Sequence, residues 1–280
     1  MSSVAQVTDR THNARMQSSE KKTPVAPVPA ATILLVRDAP DGLEVFMVKR
    51  HHQIDFVSGA LVFPGGKVHH DDNETGLSDF ADGGADWSIE KRALGAAAIR
   101  EAFEESGILL ARDSKTGDFV DAAKLETLEP YRARLDKHEI PLLELLREEG
   151  LRLALDQLVP FAHWITPENM PKRFDTHFFI APSPVGHLGS HDGRESVDST
   201  WIAPERAVSD RKTWNVVFPT KLNLVKLSGS RTVAEAVATA KANPPVTVTP
   251  WVEAGPNGQV LRIREDAGYA QTSVNLKEAM

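Results

Sequence analysis

The chain has 280 residues, of which 41% are hydrophobic and 25% are charged, a balance typical of globular proteins. Its formal net charge of -7 argues against nonspecific nucleic-acid binding, which requires a basic surface. The sequence has no cysteine, which excludes disulfides, a thiol nucleophile and thiolate metal ligands. No segment approaches the roughly 20 apolar residues of a membrane span, so we expect neither a nucleic-acid nor a membrane partner.

The first 28 residues are polar and run into a proline-rich stretch, so they predict a disordered arm that leads into an extended segment. They lack the apolar core of a secretion signal. Residues 276–280 do not match a peroxisomal address of the Ser-Lys-Leu type. These features favour a cytoplasmic location.

A pair of strands is predicted next. The apolar runs 31–37 and 43–50 flank residues 38–42, which have turn chemistry. A third apolar segment, 61–68, is interrupted by a Pro-Gly-Gly sequence. The polar, glycine-containing residues 69–86 predict a surface loop.

The most informative segment places three carboxylates on one face of a predicted helix. Glu101, Glu104 and Glu105 have the spacing i, i+3 and i+4. Like charges at this spacing repel by roughly a few tenths of a kcal/mol per pair, so helix formation alone does not favour them. Binding of a hard divalent cation does favour this arrangement, because Mg²⁺ and Mn²⁺ prefer oxygen ligands. The alternative interpretation is a solvated, charged helix face, which is the more common one for such clusters.

Other residues of the same helix fit a buried site. Ile99 and Phe103 point away from the carboxylates, as expected for the side that packs on a core. Arg100 can reach Glu104 at i+4 and hold it in one rotamer. Gly107 stands where a helix would end in a left-handed cap.

Residues 121–157 have a helical pattern and form a predicted insert. A helix ending at Gly150 is expected, with another beginning at 151–155. The insert could shape a substrate pocket or a homodimer contact, although ordinary packing is the simpler explanation. Strands are predicted again at 162–165 and 173–181.

The C-terminal part of the chain predicts one more helix and then strands. The helix is expected at 232–240, and a β-rich tail is expected from 243 onward.

Residues 66–108 resemble the signature of the Nudix hydrolase family. That signature reads glycine, five residues, glutamate, seven residues, and then Arg-Glu-apolar-x-Glu-Glu-x-Gly-apolar. Gly66 matches its opening glycine, and residues 100–108 match its second half. The distance from Gly66 to Arg100 is 34 positions instead of 14, and Arg92 stands where the glutamate is expected when counted back from Arg100.

An interrupted signature of this kind is similar to that of the coenzyme A diphosphatases within the family. Residues 56–66, 173–179 and 195–207 also resemble that group. The resemblance implies an α/β fold, a Nudix-type α/β/α sandwich with a mixed β-sheet and a helical insertion. It places the Nudix domain at 29–245 and a C-terminal extension at 246–280.

The resemblance also implies an activity. A Nudix enzyme would use Mg²⁺ or Mn²⁺ to hydrolyse a diphosphate linkage in a small-molecule nucleoside diphosphate derivative, here coenzyme A or an acyl derivative. Alternatives are another diphosphate, such as a nucleotide sugar, ADP-ribose or a dinucleotide, or a binding module that has kept the fold and lost catalysis.

Roles for individual residues follow from the same resemblance. The implied metal ligands are Glu101, Glu104, Glu105 and Gly66. The implied catalytic residues are Glu101 as general base, Glu195 as the alternative base, and Arg100. The implied substrate contacts are Arg173 and Gly65. An ordinary surface position is an equally good explanation of Glu195. Pairing with an acid equally explains Arg173, and Asp175 is expected to be structural.

The remaining candidates are histidines and tryptophans. Neighbouring residues on a strand point to opposite sides, so the pairs 51–52 and 69–70 are expected to be loop histidines and not metal ligands. Trp164, Trp201 and Trp214 could stack on a base, but core packing is expected.

Overall fold

The computed structural model describes residues 25–50, 59–193, 196–256 and 258–279. The described strands are β1 (Val28–Ala39), β2 (Gly42–Arg50), β3 (Leu61–Val62), β4 (Gly65–Lys67), β5 (Ala81–Asp82), β6 (Ala111–Asp113), β7 (Leu151–Ala154), β8 (Val159–Ile165), β9 (Phe174–Pro182), β10 (Ser196–Ile202), β11 (Thr247–Val248), β12 (Trp251–Gly255), β13 (Gly258–Arg262) and β14 (Ser273–Asn275). The helices are α1 (Ile89–Ser106), α2 (Ala122–Asp136), α3 (Leu142–Glu149), α4 (Pro204–Ser209), α5 (Phe218–Leu227), α6 (Val233–Ala242) and α7 (Leu276–Ala279).

A mixed sheet forms the centre of the molecule. In the described part of the chain it has the order β10-β2-β1-β9-β8-β11, with β3 added to β2 and β4 added to β1. Strand β1 runs parallel to β9 and antiparallel to β2. The predicted hairpin of β1 and β2 is therefore present, and β1 is a central strand of the sheet.

Both faces of the sheet are covered, as the continuous apolar run in β1 requires. Ile33 and Leu35 contribute to a core that includes α1 and α3. Leu34 and Val36 contribute to a second core on the other face, which includes α5 and α6. All four side chains are fully buried. This layering confirms the predicted α/β/α sandwich.

A small second sheet, β5-β7-β6, corrects the prediction of a helix beginning at 151–155. Gly150 ends α3 in a left-handed conformation, and the following residues form β7, paired with β6 through Leu151 and Leu153. A run of alternating leucines suits either structure. Here the pairing with β6 and the burial of both leucines decide for the strand.

Residues 69–86 are more ordered than the predicted surface loop. They form two short 3₁₀ helices, His70–Asn73 and Leu77–Phe80, and then β5. Asp72 and Leu77 are buried, so this segment is part of the packed structure around α1.

The chain after residue 246 begins on the main sheet, where β11 pairs with β8, and continues into an antiparallel sheet of β12, β13 and β14. Within the described ranges, no helix is both long and apolar enough to cross a membrane.

Candidate active site

Helix α1 carries the three carboxylates in a buried setting. Ser88 caps its first turn by accepting a hydrogen bond from the amide of Lys91, and Gly107 ends it in a left-handed conformation. Glu101, Glu104 and Glu105 are only 8%, 7% and 7% exposed. A solvated helix face is therefore excluded, and the local charge requires partners.

Arg100 is the central partner of this cluster. Its Nη1 donates to Glu101 Oε1 and to Glu104 Oε2, each at 2.9 Å. Its Nε and Nη2 donate to Asp72 Oδ1 and Oδ2 at 2.9 and 3.0 Å, and Nη2 also donates to the carbonyl of Lys67 at 2.9 Å. Burial opposes the charge, but the hydrogen bonds to Asp72 and the neighbouring carboxylates raise the pKa of Arg100 above its usual value. The planar guanidinium thus joins two chain segments through a bidentate contact.

The Gly65-Gly66 pair lies directly against the carboxylates. The amide of Gly65 donates to Glu105 Oε2 at 3.0 Å. A Cβ atom on Gly66 would lie 2.5 Å from Glu101 Oε1, closer than atoms can pack. Glycine at position 66 is therefore required by the approach of Glu101 to the backbone.

Glu104 has an unpaired oxygen. Its Oε1 is buried and has no hydrogen-bond partner among the described residues. Burial is the main cause that raises the pKa of Glu104 to about 8, and Glu101 adds to it, although Arg100 opposes the shift. A buried, unpaired carboxylate oxygen beside two further carboxylates is the donor set that a hard divalent cation prefers, so the residues present fit such an ion.

A cleft of about 820 Å³ opens at these carboxylates, a size typical of ligand pockets. Its lining also includes the basic or imidazole-bearing residues Arg50, Lys67, His69 and His138. The apolar part of the lining includes Trp164, Phe174, Phe178, Phe218, Val252 and Leu261. The cleft therefore combines ionisable and apolar side chains.

Comparisons with known proteins agree with this geometry. Residues 85–223 match the family model of the NUDT19 Nudix domain. A NUDIX hydrolase from Alicyclobacillus acidocaldarius has a similar structure, with a TM-score of 0.66 and 28% identity over 78% of this chain and 99% of that one. The chain is therefore similar to Nudix hydrolases in sequence and in fold.

Two curated relatives are less similar to this chain in sequence than the Alicyclobacillus acidocaldarius protein is. It is 25% identical to the acyl-coenzyme A diphosphatase NUDT19 of Xenopus laevis over 215 residues, and 27% identical to nudix hydrolase 7 of Caenorhabditis elegans over 178 residues. The matches cover 63% and 62% of this chain. They span only 57% and 52% of the relatives' own lengths.

Asp72 corrects the interpretation of the interrupted Nudix signature. Counting back from Arg100 predicts Arg92 at the position of the first acid, but Arg92 donates to the carbonyls of Trp87 and Gly84. Counting forward from Gly66, five residues separate it from Asp72, which is 1% exposed and pairs with Arg100. The extra residues therefore follow the acid. A count from the glycine would have found Asp72 in the sequence.

His69 and His138 are cleft residues that the sequence analysis did not identify as site residues. Their rings meet edge to face with centroids 4.3 Å apart. His138 has a φ of 55°, a left-handed conformation that is uncommon outside glycine. His69 belongs to one of the histidine pairs in the sequence, whereas only the tertiary structure brings His138 from the end of α2 to the cleft.

Several predicted residues lie elsewhere. Glu195 and the pair 51–52 are outside the described residues. Arg173 is not among the described residues that line the cleft; its guanidinium donates to the carbonyls of Thr166 and Val25. It therefore holds backbone segments together, and its position does not favour the predicted contact with substrate.

The three tryptophans pack against apolar residues. Trp164 is buried in the second core, where Trp214 also packs. The ring of Trp201 packs against that of Phe46 with centroids 5.2 Å apart. Trp164 also forms part of the cleft wall.

Substitution of Asp72 by Asn should destabilise the protein strongly. It replaces one oxygen of the buried bidentate contact by an amide NH₂ group, which cannot accept a hydrogen bond from Arg100, and breaking a buried ion pair typically costs about 3–5 kcal/mol. Chemical denaturation measures this loss. Asp71→Asn is the matched control, because the Asp71 side chain is half exposed, and its effect should stay below about 0.5 kcal/mol. Equal stabilities of the two variants would contradict the proposed importance of the pair.

Gly66→Ala should reduce activity with little effect on folding. The added Cβ displaces the flexible carboxylate end of Glu101, which can move without disturbing the backbone. We expect at least about a tenfold loss of metal-dependent turnover. Gly229→Ala is the control, because a Cβ there would lie 3.4 Å from the carbonyl oxygen of Lys226. Residue 229 is also distant in sequence from the three glutamates. Full activity of Gly66→Ala would show that Glu101 need not occupy this position.

The raised pKa of Glu104 predicts how stability depends on pH without divalent cations. The folded state holds the Glu104 proton more tightly than the unfolded state does. The contribution of Glu104 to the free energy of unfolding is therefore fully present below about pH 4.5 and is lost as the pH rises through about 8. Between pH 5 and 8 the free energy of unfolding should fall more in the wild type than in Glu104→Gln. The expected difference is at least about 1.4 kcal/mol, the equivalent of one pKa unit. Denaturation with a chelator present measures it, and parallel curves for the two proteins would refute the assignment.

Proposed function

We propose that this chain is a metal-dependent hydrolase that cleaves the diphosphate linkage of coenzyme A or an acyl derivative. The observation that carries the proposal is a cleft lined by three buried carboxylates and by apolar side chains. The printed name of the Xenopus laevis relative, an acyl-coenzyme A diphosphatase, supports this choice of substrate. The expected products are phosphopantetheine, free or acylated, and adenosine 3',5'-bisphosphate.

Glu101, Glu104, Glu105 and the carbonyl of Gly66 would hold the divalent cation, for which Mg²⁺ and Mn²⁺ are the candidates. When bound, such an ion neutralises diphosphate charge and lowers the pKa of a coordinated water. The unpaired Oε1 of Glu104 supports its assignment as a ligand.

Arg100 acts as a positioning residue. One of its nitrogens contacts both Glu101 and Glu104, and its bond to Asp72 fixes the guanidinium itself. Side chains held in this way do not need to reorganise when charge develops on the substrate.

Glu101 is the proposed general base. It lies against Gly66 and lines the cleft, where it can accept a proton from the attacking water. Glu195 remains the alternative base.

The rest of the lining suits a large substrate with charged and apolar parts. Lys67 and Arg50 line the cleft and are proposed to contact phosphate oxygens. Phe174, Phe178 and Leu261 also line it and are proposed to contact the pantetheine or acyl portion.

Mass spectrometry of reaction products over a panel of diphosphates tests the activity. With Mg²⁺, we expect coenzyme A or acyl-coenzyme A to be cleaved faster than ADP-ribose, NADH and diadenosine polyphosphates. Glu104→Gln should lose at least about 100-fold in turnover, since it removes a ligand from the metal site, and should remain folded.

Glu90→Gln is the matched control for that variant. Glu90 lies in the first turn of the same helix and is exposed, so its turnover should equal that of the wild type. Preference for another diphosphate would overturn the proposed substrate assignment. Absence of Mg²⁺-dependent turnover on every compound would overturn the enzymatic proposal in favour of a binding module.

A further inference from the structure

Two histidines and an aspartate that do not line the described cleft converge on the central sheet. His163 lies on β8, and Asp175 and His177 lie on β9. The Nε2 atoms of His163 and His177 are 2.5 and 3.6 Å from the same oxygen, Asp175 Oδ1. One potential ligand atom from each residue lies within 4.8 Å of the other two.

The cluster lies on the opposite face of β9 from the substrate cleft. Phe174, Thr176 and Phe178 line the cleft, and successive side chains of a strand point to opposite faces. Asp175 and His177 therefore point to the face that α1 covers farther along the strand, where Phe179 joins its core. None of the three cluster residues is among the described residues that line the cleft.

Thr247 on β11 orients one of the imidazoles. Its hydroxyl oxygen is 2.8 Å from His163 Nδ1, which leaves Nε2 of the same ring directed at Asp175. A hydrogen bond to the nitrogen that does not bind metal is the usual way in which proteins fix a histidine ligand.

The second imidazole lies against the first. The rings of His163 and His177 are stacked with centroids 3.9 Å apart, so both imidazoles lie beside the Asp175 carboxylate.

We propose that His163, Asp175 and His177 bind a zinc-class transition-metal cation. Two imidazole nitrogens and one carboxylate oxygen are a donor set that Zn²⁺ uses in proteins, with water in the fourth position. The three side chains are 18%, 33% and 35% exposed, so an ion and its water can enter from solvent. Thr247 is a positioning residue for the ligand His163.

Bound metal would strengthen a weak part of the fold. Strand β11 pairs with β8 through only two residue pairs, Thr247 with His163 and Val248 with Trp164. The ion would join β8 to β9 beside this contact, and Thr247 would connect it to the chain that continues into β12. The inferred site therefore stabilises the start of the C-terminal segment and is independent of the proposed hydrolase activity.

Co²⁺ titration of the full chain, without a polyhistidine tag and with saturating Mg²⁺, tests this inference. Four-coordinate Co²⁺ gives intense visible absorption, which Zn²⁺ displaces. We expect the wild type and Glu104→Gln each to bind one equivalent of Co²⁺ with this absorption. The affinity should fall at least about tenfold in Asp175→Asn and His177→Asn, which remove ligands, and about 10–100-fold in Thr247→Val, which removes the supporting hydrogen bond.

His70→Asn is the matched control, because the side chain of His70 is 99% exposed and it should bind like the wild type. Circular dichroism confirms that each variant is folded, and Asp175→Asn decides the matter if His177→Asn does not fold. Absence of the absorption from the wild type, or equal absorption in the wild type and Asp175→Asn, would overturn the proposal. Loss of the absorption in Glu104→Gln would place the ion at the acidic cluster and would overturn it as well.

Discussion

The site depends on one buried guanidinium. Arg100 contacts Asp72, Glu101 and Glu104, and Glu105 lies one residue beyond Glu104 on the same helix. Without this cation the carboxylates could not all be buried, since burying an unpaired charge is very costly. A single positive charge cannot balance four acids, and the pKa of Glu104 is raised mainly by burial, with a further contribution from Glu101. The remaining negative charge is what a divalent cation can neutralise.

This arrangement favours function at the expense of stability. The segment 93–106 of α1 is buried throughout, and a helix in that position is normally apolar on all sides. Replacing the acidic residues by apolar ones of similar volume would remove the desolvation cost. Their burial is therefore better explained by ligand binding than by folding.

The interrupted signature shows which feature of the sequence pattern is physically necessary. The 20 additional positions lie between Asp72 and Arg100, yet the two side chains still form a bidentate contact. The short 3₁₀ helix beginning at His70 places Asp72 against α1, and Asp72 Oδ2 also accepts from the amide of His69 at 2.8 Å. The contact in space is preserved while the spacing in sequence is not, because the added residues fold separately into a short 3₁₀ helix and strand β5, which pairs with β7.

Local rules predicted the parts of this structure that depend on neighbouring residues. Carboxylate spacing, the Gly107 cap and the apolar run of β1 follow from helix and strand periodicity. Leu151 and Leu153 were misjudged because a short leucine-rich run suits a helix or a strand, and only pairing with β6 decides. His138 and the pair of His163 with Asp175 depend on contacts between distant segments, which periodicity does not encode.

The cleft combines residues from separate parts of the chain. The family model covers residues 85–223 and so includes all three glutamates. The glycine pair that approaches them comes before this segment, and Val252 and Leu261 of the apolar wall come after it. These apolar side chains offer no oxygen ligand for a cation, but they can decide which substrate fits. Segments on both sides of the family match therefore complete the cleft around the three glutamates.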